Sequence, residues 1–242
     1  MKYMGSKRRI AKHILPIILK DRKDGQWYVE PFVGGANIID KVDGKRLGAD
    51  SNHYLISLLK KMQIGWLPPE EISREDFNKI KENKSKYDDW LVGYVGFQLS
   101  FGAMWFGSYA KDNEGKRNYA REAFNNVKRQ AEKINGIEFL DKSYTELIIP
   151  SGSIIYCDPP YKGTAKYKAS KEEFNHEHFW QWCRDKSKEG HQVFVSEYAA
   201  PDDFICVWKQ ELNVTVAKKG KQKKAIEKLF VHSGQLSLQV KR

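Results

Sequence analysis

The segment that decides the fold reads Ile154-Ile155-Tyr156-Cys157-Asp158-Pro159-Pro160-Tyr161. Its first four residues predict a short strand that is buried on both faces, as strands of parallel sheets are. Proline has no amide hydrogen to give to a sheet ladder, so the strand ends at the acid. Two adjacent prolines stiffen the turn, and open α/β sheets place their ligands at the carboxyl ends of their strands. The segment therefore predicts an open α/β sheet with a site at this turn.

The turn presents a carboxylate, a backbone carbonyl and an aromatic ring, from Asp158, Pro159 and Tyr161. The exocyclic amine of a nucleobase is a poor nucleophile because its lone pair is delocalised into the ring. Two oxygens can accept both of its hydrogens, and the tyrosine ring can stack on a base that has left the duplex. The alternative is a strand followed by a Pro-Pro loop that carries a surface acid.

The charge of the chain points to a polyanionic partner. Its 242 residues include 42 Lys and Arg against 31 Asp and Glu, a formal net charge of +11, with 40% hydrophobic residues. A folded basic protein of this composition favours nucleic acid as its partner, although charge alone also suits a basic protein without one. The length is sufficient for a substantial core.

Targeting and redox features indicate a cytoplasmic protein. Cys157, Cys183 and Cys206 are scattered and form no CxxC pair, so neither a zinc knuckle nor a disulfide framework is expected. His176 and His178 lie two residues apart and do not share a helix face, so no metal site is expected. We expect no signal peptide and no membrane span.

A second strand-and-turn unit lies near the N-terminus. A strand ending at Glu30 is followed by Pro31, Phe32, Gly34 and Gly35, and then by a predicted helix through residues 38–42. Adjacent glycines let the backbone approach a ligand. The pattern is not GxGxxG, which argues against a nicotinamide or flavin cofactor.

The strand at residues 46–50 ends in a third acid, Asp50. An acid at this place in a Rossmann-like unit accepts hydrogen bonds from ribose hydroxyls. The alternative is an N-cap of the following helix, formed by Asp50, Ser51 or Asn52, and the two roles are compatible.

Together these motifs resemble the Dam-like DNA adenine-N6 methyltransferases, the D12 class. Asp158-Pro159-Pro160-Tyr161 is similar to the family's catalytic motif, Gly5-Ser6-Lys7 to its N-terminal segment, and Pro31-Phe32-Val33-Gly34 to its glycine turn. The glycine expected near position 36 is replaced by Ala36. The resemblance implies a Rossmann-like fold with a mostly parallel sheet and one antiparallel strand.

The resemblance also implies S-adenosylmethionine as the cofactor, with S-adenosylhomocysteine as its product. The catalytic residues would be Asp158, Pro159, Pro160 and Tyr161. The residues expected to contact the cofactor are Tyr3, Met4, Gly5, Lys7, Glu30, Pro31, Phe32, Gly34, Gly35, Asp50, Asn52, Tyr144 and Asp158. Ser143 stands where the family often carries an acid, so Tyr144 is kept there as a stacking neighbour.

By the same resemblance, residues 1–53 and 136–242 form the catalytic domain, and residues 54–135 form a helical target-recognition insertion. The residues expected to contact DNA are Lys111, Asn113, Lys116, Arg117 and Asn118 in the insertion, and Lys219, Lys221, Lys223 and Lys224 near the C-terminus. A solvated loop is the alternative for both charged groups. The aromatic residues of the insertion are expected mainly to pack its core.

The predicted reaction is direct in-line transfer of a methyl group to N6 of a flipped-out adenine in duplex DNA. GATC is the best single guess at the site, and a monomer with a possible restriction-endonuclease partner is expected. Cytosine-N4 methylation and an inactive DNA-binding relative are the alternatives.

Overall fold

The computed structural model describes residues 1–112, 114, 116–163, 173–215 and 222–235, with the side chains of residues 213–215 and 222–224 left out. The described strands are β1 (Tyr28–Glu30), β2 (Arg46–Asp50), β3 (Ile137–Asp141), β4 (Ile154–Cys157), β5 (Gln192–Glu197), β6 (Phe204–Thr215) and β7 (Gln222–His232). The described α-helices are α1 (Ala11–Ile18), α2 (His53–Gln63), α3 (Arg74–Glu82), α4 (Asp89–Gln98), α5 (Tyr119–Ala131) and α6 (His176–Lys188).

The strands form one sheet in the order β3-β2-β1-β4-β5-β7-β6. Strands β1 to β5 are parallel to their neighbours among themselves, and β7 runs antiparallel to both β5 and β6. This is the mixed sheet of a Rossmann-like methyltransferase, so the predicted fold class, with one antiparallel strand, is confirmed.

Side chains of the central strands point alternately to the two faces of the sheet, and each face carries its own hydrophobic core. In β4, Ile154 and Tyr156 join the core that contains α1, α2 and α4, while Ile155 and Cys157 join the core that contains α6. All four residues are buried, as the apolar run predicts. Burial on both faces fixes the register of β4 and so the position at which Asp158 emerges.

Side-chain caps explain where several helices begin. Asn52, Ser73, Asn118 and Asn175 each accept a hydrogen bond from the backbone amide three residues ahead, at the starts of α2, α3, α5 and α6. No helix in the described part of the chain combines the length and apolar character needed to cross a bilayer.

The insertion shares the core of the sheet. Phe97 of α4 and Val127 of α5 belong to the same buried cluster as Tyr28 and Phe139 of the strands. The predicted division at residues 53/54 falls at the start of α2, and it stays a prediction.

The predicted helix after the glycine turn is wrong, because residues 39–41 form only a single 3-10 turn. Ala36 adopts φ +52°, a left-handed conformation that favours glycine. The carbonyls of Gly35 and Ala36 accept hydrogen bonds from Nε2 of Gln130, at 2.9 and 3.1 Å, rather than from a following helix. A side chain 94 residues beyond Ala36 in sequence therefore completes this turn.

The lysine-rich segment also differs from its predicted loop. Residues 222–224 lie within β7 and not in a loop. Residues 216–221 and 236–242 lie outside the described residues.

Candidate active site

The two principal motifs meet at the centre of the sheet. β1 and β4 are adjacent and parallel, with Val29 opposite Ile155, so their carboxyl ends lie together. The glycine turn follows β1, and Asp158 follows β4. The sheet extends from β1 through β2 to β3 on one side and from β4 through β5 on the other, which makes this the topological switch point where such sheets bind ligands. Residues more than 120 positions apart in sequence are thereby brought together.

A largely buried ion-pair cluster lies at the turn after β4. The Lys7 ammonium lies 3.2 Å from Oδ1 of Asp158 and 3.7 Å from Oε2 of Glu227. The Tyr161 hydroxyl donates a hydrogen bond of 2.8 Å to Oε2 of Glu227. The Lys7 ammonium also lies 4.2 Å from the centroid of the Tyr161 ring. Two carboxyl groups, one ammonium and one phenol therefore form a single unit.

The charges of this cluster are coupled. Burial raises the pKa of Asp158, the nearby Lys7 ammonium opposes that rise, and Glu227 adds to it. Burial alone would lower the pKa of Lys7, but Asp158 and Glu227 outweigh it and the net shift is upward. Lys7 therefore stays charged, and its charge favours the ionised form of Asp158.

Lys7 lies at this turn because the N-terminal segment before it is hydrogen-bonded to α4 and packed against the glycine turn. Gln98 of α4 accepts from the Lys2 amide at 2.9 Å and donates to the Lys2 carbonyl at 2.8 Å. Tyr3 packs on the glycine turn, where a Cβ on Gly34 would lie 2.6 Å from its ring. Gly34, at φ +47°, is thus required both by its conformation and by the closeness of Tyr3.

Glu197, at the end of β5, borders the same site. Its two carboxylate oxygens accept hydrogen bonds from the backbone amides of Lys162 at 3.1 Å and Tyr198 at 2.7 Å. Burial raises the pKa of Glu197 to about 7. The Tyr198 ring stands edge-on to Tyr161, with centroids 4.6 Å apart. Glu197 thus ties the segment after the catalytic turn to the sheet.

Asp50 lies at the carboxyl end of β2, as the sequence predicts. Its Oδ2 accepts from the Gly34 amide at 3.1 Å, and its Oδ1 accepts from the Asn52 amide at 3.0 Å. Burial raises the pKa of Asp50 to about 6. Each oxygen keeps a lone pair for a further donor. Asn52 itself caps α2 through the Leu55 amide, at 3.1 Å.

An aromatic wall borders the space between β1 and α6. Tyr144 and Phe32 have ring centroids 5.3 Å apart, and both contact Phe179 of α6. The Tyr144 hydroxyl is 2.8 Å from Nδ1 of His178. The predicted neighbours Phe32 and Tyr144 are brought together, and the hydrogen bond to His178 orients the Tyr144 ring.

The remaining predicted cofactor residues differ in their surroundings. Glu30 is buried and accepts a hydrogen bond of 2.9 Å from the Tyr28 hydroxyl. Burial raises the pKa of Glu30 well above its usual range and so favours the neutral carboxyl. The Gly5 carbonyl accepts a hydrogen bond of 3.2 Å from the Lys7 ammonium. Met4 is exposed, whereas Pro31 and Gly35 are buried.

The predicted DNA-contacting residues of the insertion are held by local contacts. Arg117 forms a two-pronged pair with Glu122, at 2.9 and 2.8 Å, and its guanidinium lies 4.6 Å from the Tyr119 ring. Lys116 pairs with Glu114 at 2.6 Å, and Asn118 caps α5. Lys111 is exposed. Asn113, Lys219 and Lys221 lie outside the described residues, and the side chains of Lys223 and Lys224 are not described.

Glu227 is the site residue that the sequence did not single out. The segment 227–232 resembles the family's late strand, but nothing in it indicates that its acid reaches Lys7 and Tyr161. That contact depends on the pairing of β7 with β5, where Lys228 stands opposite Glu197.

The fold and this site define the class: a Rossmann-like methyltransferase with an Asp-Pro-Pro-Tyr turn at the switch point. Residues 3–233 match the family model described as D12 class N6 adenine-specific DNA methyltransferase. The chain belongs to that family, so it is an adenine-specific DNA methyltransferase, and its reaction requires DNA and a methyl donor. The predicted family is confirmed.

The individual relatives are distant. The chain is 26% identical over 219 residues to the retron Ec67 DNA adenine methylase of Escherichia coli. This alignment covers 81% of this chain and 75% of that protein. The chain is 27% identical over 184 residues to the DNA adenine methylase of Vibrio cholerae serotype O1. This second alignment covers 66% of this chain and 64% of that protein. The chain thus spans a little under two thirds of the Vibrio protein.

Among solved structures, the glycopeptide N-methyltransferase MtfA aligns with 97% of this chain and 77% of its own, at 6% identity and a TM-score of 0.31. A likeness this weak carries no argument about function, and the strand order carries the fold assignment.

Proposed function

We propose that this protein transfers the methyl group of S-adenosylmethionine to N6 of an adenine rotated out of duplex DNA, with GATC as the first site to test. The observation that carries the proposal is the buried contact of 3.2 Å between Lys7 and Asp158, at the switch point beside the glycine turn. It couples the N-terminal segment, expected to border the cofactor, to the carboxylate that would receive the base.

The donor set of the site fits S-adenosylmethionine. Asp50 has lone pairs for the ribose hydroxyls, and Phe32 and Tyr144 offer an aromatic surface for the adenine. The Asn37 Nδ2 atom, within 2.7 Å of where a Cβ on Gly35 would lie, is buried without a hydrogen-bond partner among the described residues. It is a donor available to the ligand. When bound, the cofactor supplies an electrophilic methyl group on a sulfonium.

Toward the substrate, Asp158 and the Pro159 carbonyl would accept the two N6 hydrogens, which leaves the nitrogen lone pair directed at the methyl carbon. N6 would bond to the methyl carbon as that carbon leaves the sulfur, and N6 would lose one proton, for which Asp158 is the acceptor that this arrangement offers. Since the protein contributes positioning and electrostatics, no covalent intermediate with the enzyme is required. The base would stack against the Tyr161 ring, whose centroid lies 4.2 Å from the Lys7 ammonium.

The setting of the protein is proposed from weaker observations. Cys157, Cys183 and Cys206 are free thiols, which suits a reducing cytoplasm where the protein would be associated with DNA. We propose a monomer, and a cognate restriction endonuclease remains a candidate partner.

The test is a methyl-transfer assay with labelled S-adenosylmethionine and duplex DNA, followed by long-read sequencing of DNA from cells that express the protein. N6-methyladenine in a defined sequence context is expected. N4-methylcytosine would replace the proposal with the cytosine alternative. Tight DNA binding without transfer to any base would indicate an inactive DNA-binding relative.

A further inference from the structure

Glu227 lies beside Lys7 and Tyr161 because β7, among the described strands, runs opposite to the other strands of the sheet. β7 runs antiparallel to β5, so its earlier residues approach the carboxyl ends of the parallel strands. Lys228 pairs with Glu197, the last residue of β5. Glu227 precedes Lys228 in β7 and therefore stands just beyond the carboxyl end of β5. The topology places a third carboxyl group beside those of Asp158 and Glu197.

The environment of Glu227 is unusual for an acidic residue. It is only 8% exposed, and its Oε2 atom serves two partners, the Tyr161 hydroxyl at 2.8 Å and the Lys7 ammonium at 3.7 Å. A buried carboxylate carries a desolvation cost that its partners must offset, and an apolar side chain would avoid that cost. A second acid beside Asp158 therefore calls for a role beyond packing.

The charge count suggests that role. If Lys7 faced Asp158 alone, the pair would be neutral, and the ammonium would occupy the carboxylate that the N6 amine has to reach. With Glu227 present, one ammonium serves two carboxylates and the cluster keeps a net negative charge. Glu227 offers Lys7 a second partner at 3.7 Å, toward which it can shift as the base enters.

We propose that Glu227 is a positioning residue for methyl transfer, which fixes the Tyr161 ring through its hydroxyl and shares Lys7 so that Asp158 can accept the amino group of the base. This inference rests on the proposed function. Glu227 acts through Tyr161 and Lys7, and it does not contact the reacting atoms.

The experiment compares Glu227→Gln, which removes the charge, and Tyr161→Phe, which removes only the hydroxyl, with wild-type protein. The matched control is Glu138→Gln, an exposed glutamate on β3 at the far edge of the sheet. Single-turnover methyl transfer gives the chemical step, and calorimetry with S-adenosylmethionine gives cofactor affinity. Carbon-13 NMR of the Asp158 carboxyl gives its titration without any need for activity.

We expect E227Q to lower the single-turnover rate constant by about 10- to 100-fold, the loss typical when a catalytic group is misplaced, with cofactor affinity unchanged. Tyr161→Phe removes the same contact and also the hydrogen bond of its hydroxyl to Asp158, and the double variant should lose less than the product of the two effects, because the two substitutions share one contact. The Asp158 pKa should fall in E227Q, since a neighbouring negative charge is gone, and the acid limb of the rate profile should move to lower pH with it.

A wild-type rate constant in E227Q, or an unmoved Asp158 titration, would overturn the inference. A lower rate constant that is accompanied by a lower melting temperature and by no change in the Asp158 titration would also overturn it, because that pattern reports a structural role only. Failure of the proposed function itself is recognised separately, as wild-type protein that methylates no adenine.

Discussion

The proposed catalytic turn and the start of α5 each carry an ion pair between a basic and an acidic side chain. At the turn, Lys7 and Asp158 are 9% and 23% exposed, and their contact lies between the ends of buried elements. At α5, Arg117 and Glu122 are 54% and 35% exposed, on a helix surface. A buried pair is held in one geometry, whereas an exposed pair contributes little and changes partner easily.

The difference bears on the role proposed for each region. At the proposed catalytic turn, Glu227 and the Tyr161 ring hold the Lys7 ammonium beside Asp158, which suits a site that works by positioning. The α5 region presents an arginine whose fork is already shaped around a carboxylate, and the same fork fits a guanine edge. Glu122 occupies Arg117 in the free protein, and this contact lowers the pKa of Glu122 to about 2. DNA would have to replace that carboxylate.

The largest effect is expected at the buried pair. Asp158→Ala should lower the methyl-transfer rate by at least about 100-fold, the loss seen when one preorganised polar group is removed from a reacting centre. Calorimetry should still show S-adenosylmethionine binding, and circular dichroism an intact fold. Asp24→Ala, at an exposed loop position, is the matched control. Full activity in Asp158→Ala would contradict the assignment of the turn.

Lys7→Gln tests the charge coupling within that pair. Lys7 opposes the upward shift of the Asp158 pKa, so its removal should raise that pKa further. Since the ionised carboxylate is the reactive form, activity should be lost at higher pH than in wild-type protein as the pH falls. The measurement is the pH dependence of kcat/KM. An acid limb that stays in place would mean that Lys7 does not control Asp158.

Asp50→Ala should weaken cofactor binding by about 1.5–3 kcal/mol, the contribution of hydrogen bonds to a charged group. The substitution also removes the hydrogen bonds to the Gly34 and Asn52 amides, so thermal unfolding must be followed beside calorimetry. Ser73→Ala is the control for a loss of stability alone, because it removes the cap of α3 and Ser73 is not among the predicted cofactor residues. Unchanged cofactor affinity in Asp50→Ala would reduce this acid to a structural role.

At the exposed pair, Arg117→Ala should relax sequence preference at one guanine position by about 1–3 kcal/mol, the discrimination of a two-pronged arginine contact. Binding to random DNA should change less. Arg121→Ala is the control, because Arg121 is a similarly exposed arginine that pairs with Glu70. Sequencing of the sites that each variant methylates is the readout. A recognition sequence that is the same at every position would show that Arg117 reads no base.

The smallest effect per residue is expected for the C-terminal lysines. Changing Lys219, Lys221, Lys223 and Lys224 to Gln should weaken target and non-target DNA alike, and flatten the salt dependence by about 0.9 units of slope for each phosphate that is no longer neutralised. The control changes four exposed lysines in the segments leading into β1, β2 and β3, at the opposite end of the sheet: Lys20, Lys23, Lys45 and Lys133. Equal slopes in the two variants would mean that the tract makes no specific contribution.

The sequence by itself determined the parts of this protein that depend on local pattern. The apolar run before Asp158 predicted a fully buried strand, and the prolines predicted its end, because neither inference needs a distant partner. The acid at the end of β2 followed from the strand pattern that precedes it. The family resemblance supplied the order of the motifs and with it the antiparallel strand.

Only the tertiary structure decided which groups that are distant in sequence contact one another. The short turn at residues 39–41 follows from the Gln130 side chain, which binds the carbonyls that a helix would have used. Glu227 reaches Lys7 and Tyr161 because β7 enters the sheet in reverse, beside β5. In each case the partner is selected by packing and strand pairing, and a one-dimensional pattern carries no information on either.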